Sequence, residues 1–207
     1  MKRQIVSVLA LLALAANVCA TDAVRMLEDF SVKIQSAAGR FTQTAAEDGQ
    51  VLATGRFSFT RPGMFLWETQ SPFFQTILCD GRTLWIYDPD LHQVTIRPLK
   101  HTSEWGPAAL LFGQTSPEEV FRLSDRGKIG GLLWVRAIPK ASDAAFSAMD
   151  VGMDENGFVR ELRLTDSFGE VTLYKLSEVL VPSELHARDY KFRIPPGTDV
   201  LKDTSQQ

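Results

Sequence analysis

The spacing of apolar residues divides the chain into an N-terminal helix, a strand-rich run, a short helical interlude and a second strand-rich run. Ala23, Leu27, Phe30, Ile34 and Ala38 recur at three- and four-residue intervals. That is the period of one helix face, and it predicts a helix over 22–38 that stops at Gly39. From residue 51 the period falls to two. Val51, Ala53, Phe57 and Phe59 share one face of a strand over 51–59, with Arg56 and Ser58 on the other. Phe65 and Trp67 oppose Glu68 in a strand over 64–70, and Pro62-Gly63 between the two fits the centre of a type II turn. Asp80-Gly81 is a hairpin signal joining 76–79 to 83–87. Asp88-Pro89-Asp90 turns the chain into 92–97.

Helical signals return in the middle. Pro107 opens a short helix over 108–112. Ser116-Pro117-Glu118-Glu119 supplies a capping serine, a first-turn proline and a glutamate at the third position. A second short helix to about Leu123 is expected there. Strands are then predicted over 132–138, 148–153, 158–164, 170–176 and 190–194. Asn156-Gly157 joins the second of these to the third. In the last, Tyr190, Phe192 and Ile194 alternate with Lys191 and Arg193. Strands linked by tight turns imply an antiparallel meander. The fold class is therefore mainly β with some α, a barrel or a strongly curved sheet. The helices would cover an opening or a face, because each carries an apolar stripe that must be buried. No linker divides the chain.

The first twenty residues stand apart. Lys2 and Arg3 precede an apolar run from Ile5 to Ala16. That run is too short for the roughly 20 apolar residues of a membrane span. Val18 and Ala20 occupy the −3 and −1 positions of a cleavage site, so 1–20 reads as a secretory signal peptide and 21–207 as a single domain. Cys19 in the context Asn17-Val18-Cys19 is a poor lipidation site. Cleavage after Ala20 removes it and leaves Cys79 as a lone thiol in an apolar stretch, read as a small buried hydrophobe.

Removing Lys2 and Arg3 from 22 basic residues leaves 20 against 25 acidic ones, a balance that argues against a nucleic-acid binder. Two cysteines exclude a disulfide scaffold. No nucleophile elbow, phosphate loop, dinucleotide fingerprint or zinc-protease motif is present. His92, His101 and His186 are scattered without ligand spacing, so no metal is expected. Asp80, Asp88 and Asp90 each sit in a turn motif that explains them without chemistry. The unusual feature is aromatic. Phe57, Phe59, Phe65, Trp67, Phe73, Phe74, Trp85 and Tyr87 crowd into about thirty residues. Whether they fill a core or line a cavity is left open by the sequence.

Several segments resemble the periplasmic outer-membrane lipoprotein carrier family, LolA: FTQ (41–43), RPGMFLW (61–67), ILCDGRTLWIYDPDLHQVT (77–95), IPKA (138–141), DVGMDENG (150–157) and YKFRIPPGTDV (190–200). They span nearly the whole mature chain in order. The resemblance implies an unclosed β-barrel lidded by about three short helices, in the periplasm. It implies an apolar cavity for the acyl chains of lipoproteins, received from an inner-membrane ABC transporter and passed to an outer-membrane acceptor. It implies no cofactor and no enzymatic step, and a monomer is expected. Phe65 and Trp67, which match the family's motif, are the expected cavity wall, and strand alternation alone adds Phe57 and Phe59 to it. Leu27 and Ile34 would form the lid-helix face, and Ala108, Leu110 and Leu111 a second lid helix. Arg61 matches the family's arginine that holds the lid closed through lid backbone. Such a role suits a side chain with five donors.

Three other readings stand beside this one. An outer-membrane-anchored acceptor of the same fold requires Cys19 to be acylated. A periplasmic lipid hydrolase lacks a motif. A lipid-sensing regulatory domain would need a membrane-tethered partner.

Overall fold

The structure, a computed structural model, describes residues 22–99, 111–113, 115–142, 144–181 and 185–202. The expected signal peptide, residues 1–20 with Cys19, lies outside them. A single helix, α1 (Asp22–Lys33), leads into six strands: β1 (Ser36–Ala45), β2 (Val51–Thr60), β3 (Met64–Ser71), β4 (Gln75–Asp80), β5 (Thr83–Asp88) and β6 (Gln93–Pro98). A one-turn helix, α2 (Pro117–Val120), precedes five more: β7 (Phe121–Ile129), β8 (Leu132–Pro139), β9 (Ala148–Met153), β10 (Val159–Thr165) and β11 (Val171–Leu180). A 3-10 turn (Ala187–Tyr190) and a short β12 (Asp199–Lys202) follow.

All twelve strands form one sheet, in the order β12-β6-β5-β4-β3-β2-β1-β11-β10-β9-β8-β7. It consists of two meanders, β1–β6 and β7–β11, joined where β1 pairs β11 antiparallel. Only β12 runs parallel, alongside β6. The order is linear, so the sheet does not close into a barrel. It does curl. One core cluster takes Phe41, Phe57, Phe65 and Cys79 from the first meander and Val135, Met149, Val151 and Leu162 from the second. α1 lies against this concave face, touching β7 and β8, while its Phe30 ring sits 6.4 Å from Phe59 on β2.

Several boundaries differ from the sequence reading. The helix expected over 22–38 ends at Lys33 and the chain re-forms as β1. Ala37, Ala38 and Gly39 carry no strand signal of their own. β2 and β11 flank them on both sides, and that pairing overrides the alanine preference for helix. Gly63 has the positive φ (71°) that the expected turn requires, and the Arg61–Pro62 peptide is cis. α2 stops at Val120 rather than near Leu123, because Phe121 pairs with Pro139 to begin β7. Pro117 opens it as expected, yet Ser116 makes no side-chain cap.

The strand expected over 190–194 is not one. Tyr190 ends a 3-10 turn and residues 191–195 run as irregular chain across the convex face. Tyr190 is wholly buried there, and its hydroxyl oxygen accepts from Thr60 Oγ1 at 3.2 Å. The Phe192 ring stacks on Trp85 at 6.2 Å and tilts against Tyr87 at 5.6 Å. The lid was expected to hold about three helices. Among the described residues there are two α-helices, α1 and α2, besides Leu111 and Phe112, which are helical beside undescribed neighbours.

Candidate functional site

Rings pave the concave face because β2 and β3 place their aromatic positions in register. Phe57 lies opposite Trp67 and Phe59 opposite Phe65, and directly opposed residues share a face. Phe57, Phe59 and Phe65 are buried and Trp67 is half-buried against them. On β1, Phe41 stacks on Trp67 with centroids 4.0 Å apart, and Tyr174 of β11 meets Trp67 edge-on at 6.0 Å. Two glycines let these rings lie flat on the strands. A Cβ at Gly55 would collide with the Glu68 carbonyl and come within 2.6 Å of the Phe41 ring, and one at Gly39 would come within 3.0 Å of Phe57.

The aromatic crowd of residues 57–87 is therefore three groups, not one. Phe57, Phe59, Phe65 and Trp67 face inward. Trp85 and Tyr87 face outward against Phe192. Phe73 and Phe74 are exposed in the β3–β4 turn.

Phe112 covers the floor. Its ring lies 5.0 Å from Phe59, 5.1 Å from Phe65 and 6.3 Å from Phe57, and the side chain is buried. Leu111 beside it is buried too, as are Leu27 and Phe30 of α1, while Ile34 just beyond α1 is half-buried. Leu110 and Ala108 lie outside the described residues. The residue pattern predicts a helix over 108–112 without singling out Phe112. Nothing in AALLF distinguishes which of its apolar side chains turns onto the rings.

Arg61 ties the cover down. Its Nε donates to the Ile34 carbonyl at 3.1 Å, Nη1 to Gly113 at 3.1 Å and Nη2 to Leu111 at 2.7 Å. Its own backbone N–H donates to Gln35 O at 2.8 Å. Three of the five guanidinium donors thus satisfy carbonyls of two separate segments, the end of α1 and the stretch carrying Phe112. The cation also lies over Phe30 and Phe59, at 5.7 and 5.4 Å. Burial pushes its pKa down to about 10, so it keeps its charge at neutral pH.

Beside this tie an open groove of about 510 Å³ runs between α1 and α2, lined by Glu28, Ser31, Gln35, Arg61, Ser116 and Glu118. The Glu28 carboxyl is pushed above its ordinary value, first by a hydrogen bond with Glu118.

Other polar candidates have local roles. Asp80 Oδ1 accepts from the Arg82 and Thr83 N–H groups, and Asp88 Oδ1 from Leu91, so both shape turns. His92 is exposed in a turn, His186 precedes the 3-10 turn, and His101 lies outside the described residues. Cys79 sits on the concave face opposite Phe65, fully buried. Burial pushes its thiol up to about 11, so it stays protonated and unreactive at neutral pH. Among the described residues no group of His, Cys, Asp and Glu could hold a metal ion. None of the described helices is long and apolar enough to cross a membrane.

Comparison with known proteins agrees with this architecture. A carrier from Bordetella avium, "Outer-membrane lipoprotein carrier protein", is 39% identical over 200 residues, covering 95% of each chain. A protein of the same name from Chromobacterium violaceum is 39% identical over 193 residues, covering 91% of this chain and 93% of its own. In structure, an uncharacterized conserved protein from Thermus thermophilus superposes with a TM-score of 0.56 at 13% identity, covering 87% of this chain and 97% of that one. It shares the fold. The description "Outer membrane lipoprotein carrier protein LolA" matches residues 32–193, and with these relatives it places the chain in the LolA family of outer-membrane lipoprotein carriers.

Proposed function

We propose that the protein shuttles lipoproteins across the periplasm, holding their acyl chains against the ring-paved concave face. Cleavage after Ala20 would deliver residues 21–207 as a single-domain carrier. An inner-membrane ABC transporter would load it and an outer-membrane acceptor would unload it. The role is binding and transfer, with no bond made or broken. α1, the Phe112 segment and α2 form the lid, and Arg61 is its latch. Phe57, Phe59, Phe65, Trp67, Leu27, Ile34 and Leu111 are the lining.

One observation carries this reading. The cover over the rings is itself a ring, Phe112, tied by a guanidinium to backbone rather than woven into the sheet. Lifting it exposes Phe112 and the adjoining Leu111, at about 1.5–3 kcal/mol each, and gives up the Arg61 hydrogen bonds. An entering acyl chain recovers about 0.8 kcal/mol per methylene. Part of a long chain therefore offsets the two side chains and the hydrogen bonds, and the rest drives loading. Handover is the reverse: Phe112 refills the floor as the chain leaves, so the empty carrier exposes no large apolar cavity to water.

The test is release of lipoprotein from inner-membrane vesicles carrying the transporter, with ATP. The expected result is a soluble one-to-one complex; absence of a complex with every lipoprotein tried overturns the reading. Phe112→Ala removes the competitor for the floor. It should tighten binding of a fluorescent acyl probe about tenfold, equivalent to about 1.4 kcal/mol. Unchanged or weaker binding would show that Phe112 is ordinary core.

A further inference from the structure

Four hairpin turns stand side by side along one edge of the sheet, on the side away from the Arg61 turn. In strand order they are 166–170 between β10 and β11, 46–50 between β1 and β2, 72–74 between β3 and β4, and 89–92 between β5 and β6. Register fixes their adjacency. Ala45 pairs with Thr172, Thr44 with Val51, Thr54 with Ser71, Thr69 with Gln75 and Asp88 with Gln93. At about 4.8 Å between strands the row runs roughly 30 Å along the edge.

These turns present large apolar side chains to water: Phe168 at 90% exposure, Leu91 at 67% and Phe74 at 59%, with Phe73 and Val51 beside them. Tight turns need none of these. Asp166 Oδ1 already satisfies the N–H groups of Phe168 and Glu170, and Gly169 supplies the positive φ. The same turns carry Glu47, Asp48, Asp90, Asp166 and Glu170 and not one lysine or arginine, in a chain whose charges are otherwise nearly balanced. The 140–147 connection between β8 and β9, next along the same edge, adds Lys140, whose Nζ donates to the Glu118 carbonyl. Exposed aromatic knobs in a predominantly acidic field mark an interaction surface. The sign disfavours an anionic lipid surface and suits a cationic protein face.

We propose that this edge docks a protein whose contact face is apolar at its centre and rich in lysine and arginine around it. The inference rests on the carrier reading, since a shuttle must engage whatever loads and unloads it. It assigns that engagement to the edge away from the latch, leaving the lid free to move while the partner is bound.

Two variants test it. Phe73→Ser/Phe74→Ser/Phe168→Ser removes the knobs, and Glu47→Gln/Asp90→Asn/Glu170→Gln removes the free charges. Both should keep the wild-type melting temperature and acyl-probe affinity. Both should raise the half-saturating carrier concentration, for release from inner-membrane vesicles or for handover to outer-membrane vesicles, by at least about tenfold. Salt should weaken the wild type as the Debye length falls from about 10 Å at 0.1 M to about 3 Å at 1 M, and should leave the neutralised variant nearly unaffected. If wild-type carrier works and both variants match it, the docking edge is wrong and the carrier reading stands. If wild type releases nothing, the carrier reading falls and takes the edge with it. Binding of wild type but not of the serine variant to protein-free phosphatidylethanolamine–phosphatidylglycerol vesicles would assign the edge to lipid and overturn the proposal. So would a reversible dimer in sedimentation that the serine variant loses.

Discussion

The two faces of the sheet are both covered by aromatic side chains, but the covers are fastened differently. On the convex face, Tyr190 is wholly buried, Phe192 stacks on Trp85, and the segment that carries them continues into β12, hydrogen-bonded along β6. On the concave face, Phe112 sits among Phe57, Phe59 and Phe65, and the segment bearing it is held by the Arg61 guanidinium. One cover shares the sheet's own ladder and comes away only as strands part. Among the described residues the other is fastened by side-chain hydrogen bonds to carbonyls, which can break while every strand stays paired. The opening proposed for the carrier, confined to one side, needs this asymmetry.

The largest test of that contrast is Tyr190→Ala. Removing a buried aromatic ring should cost about 3–5 kcal/mol in urea unfolding. Acyl-probe affinity of the folded fraction should not change, because Tyr190 faces away from the rings. A loss under about 1 kcal/mol would mean the convex cover is as loosely fixed as the concave one.

Next in size is Arg61→Leu. Each hydrogen bond from a charged donor is worth about 1.5–3 kcal/mol net. The three bonds share one side chain and are not additive, and the freed carbonyls can reach water once the cover moves, so the loss in global stability should be about 1.5–3 kcal/mol rather than three times that. Alkylation of Cys79 should accelerate well beyond the loss in global stability, because the lid opens without unfolding. Arg61→Lys should not restore protection, since a single ammonium cannot reach three carbonyls in a fixed fork. Equal alkylation rates in wild type and Arg61→Leu would remove the latch.

The smallest effect concerns Glu28. Its carboxyl is raised through the hydrogen bond with Glu118 across the α1–α2 groove. An acid raised in the folded state supports the closed arrangement fully below its unfolded value near 4.5. It loses that contribution as pH rises through the raised value. Arg25 and Asp29 on α1 act on the same carboxyl in opposite directions. Melting temperature should therefore drift slightly downward above about pH 4.5, and Glu28→Gln should flatten the drift. An unchanged slope would show that the two carboxyls do not share a proton.

The meanders were legible in the sequence because their signals are local. Asp80-Gly81 and Asn156-Gly157 mark turns whose glycines adopt φ of 93° and 80°, and the alternation of Phe57, Phe59, Phe65 and Trp67 gave their shared face. The resemblance pointed to Arg61, and residue type alone did not. What stayed hidden depends on distant partners. β1 is a strand because β11 lies beside it, and nothing near Ala37 announces that. Trp85 and Tyr87 belong to the convex face because Phe192 reaches them from about a hundred residues away. The alternation Tyr190, Phe192, Ile194 promised a strand; only its inward residues kept their meaning, since no neighbouring strand was available to pair with them.

The seam between the meanders has a consequence for how the chain reaches its fold. Every strand pair within β1–β6 or β7–β11 joins neighbours in sequence, while β1 meets β11 only after most of the chain has been made. Closing so long a loop carries an entropy cost that rises only logarithmically with length, but non-local pairing slows folding strongly. Each meander can organise early and alone. The β1–β11 zipper is the event that commits them to one another, and until it forms, the flat aromatic strip on β2 and β3 faces water beside two unpaired strand edges. The species most exposed to aggregation is thus the half-joined sheet rather than the unfolded chain.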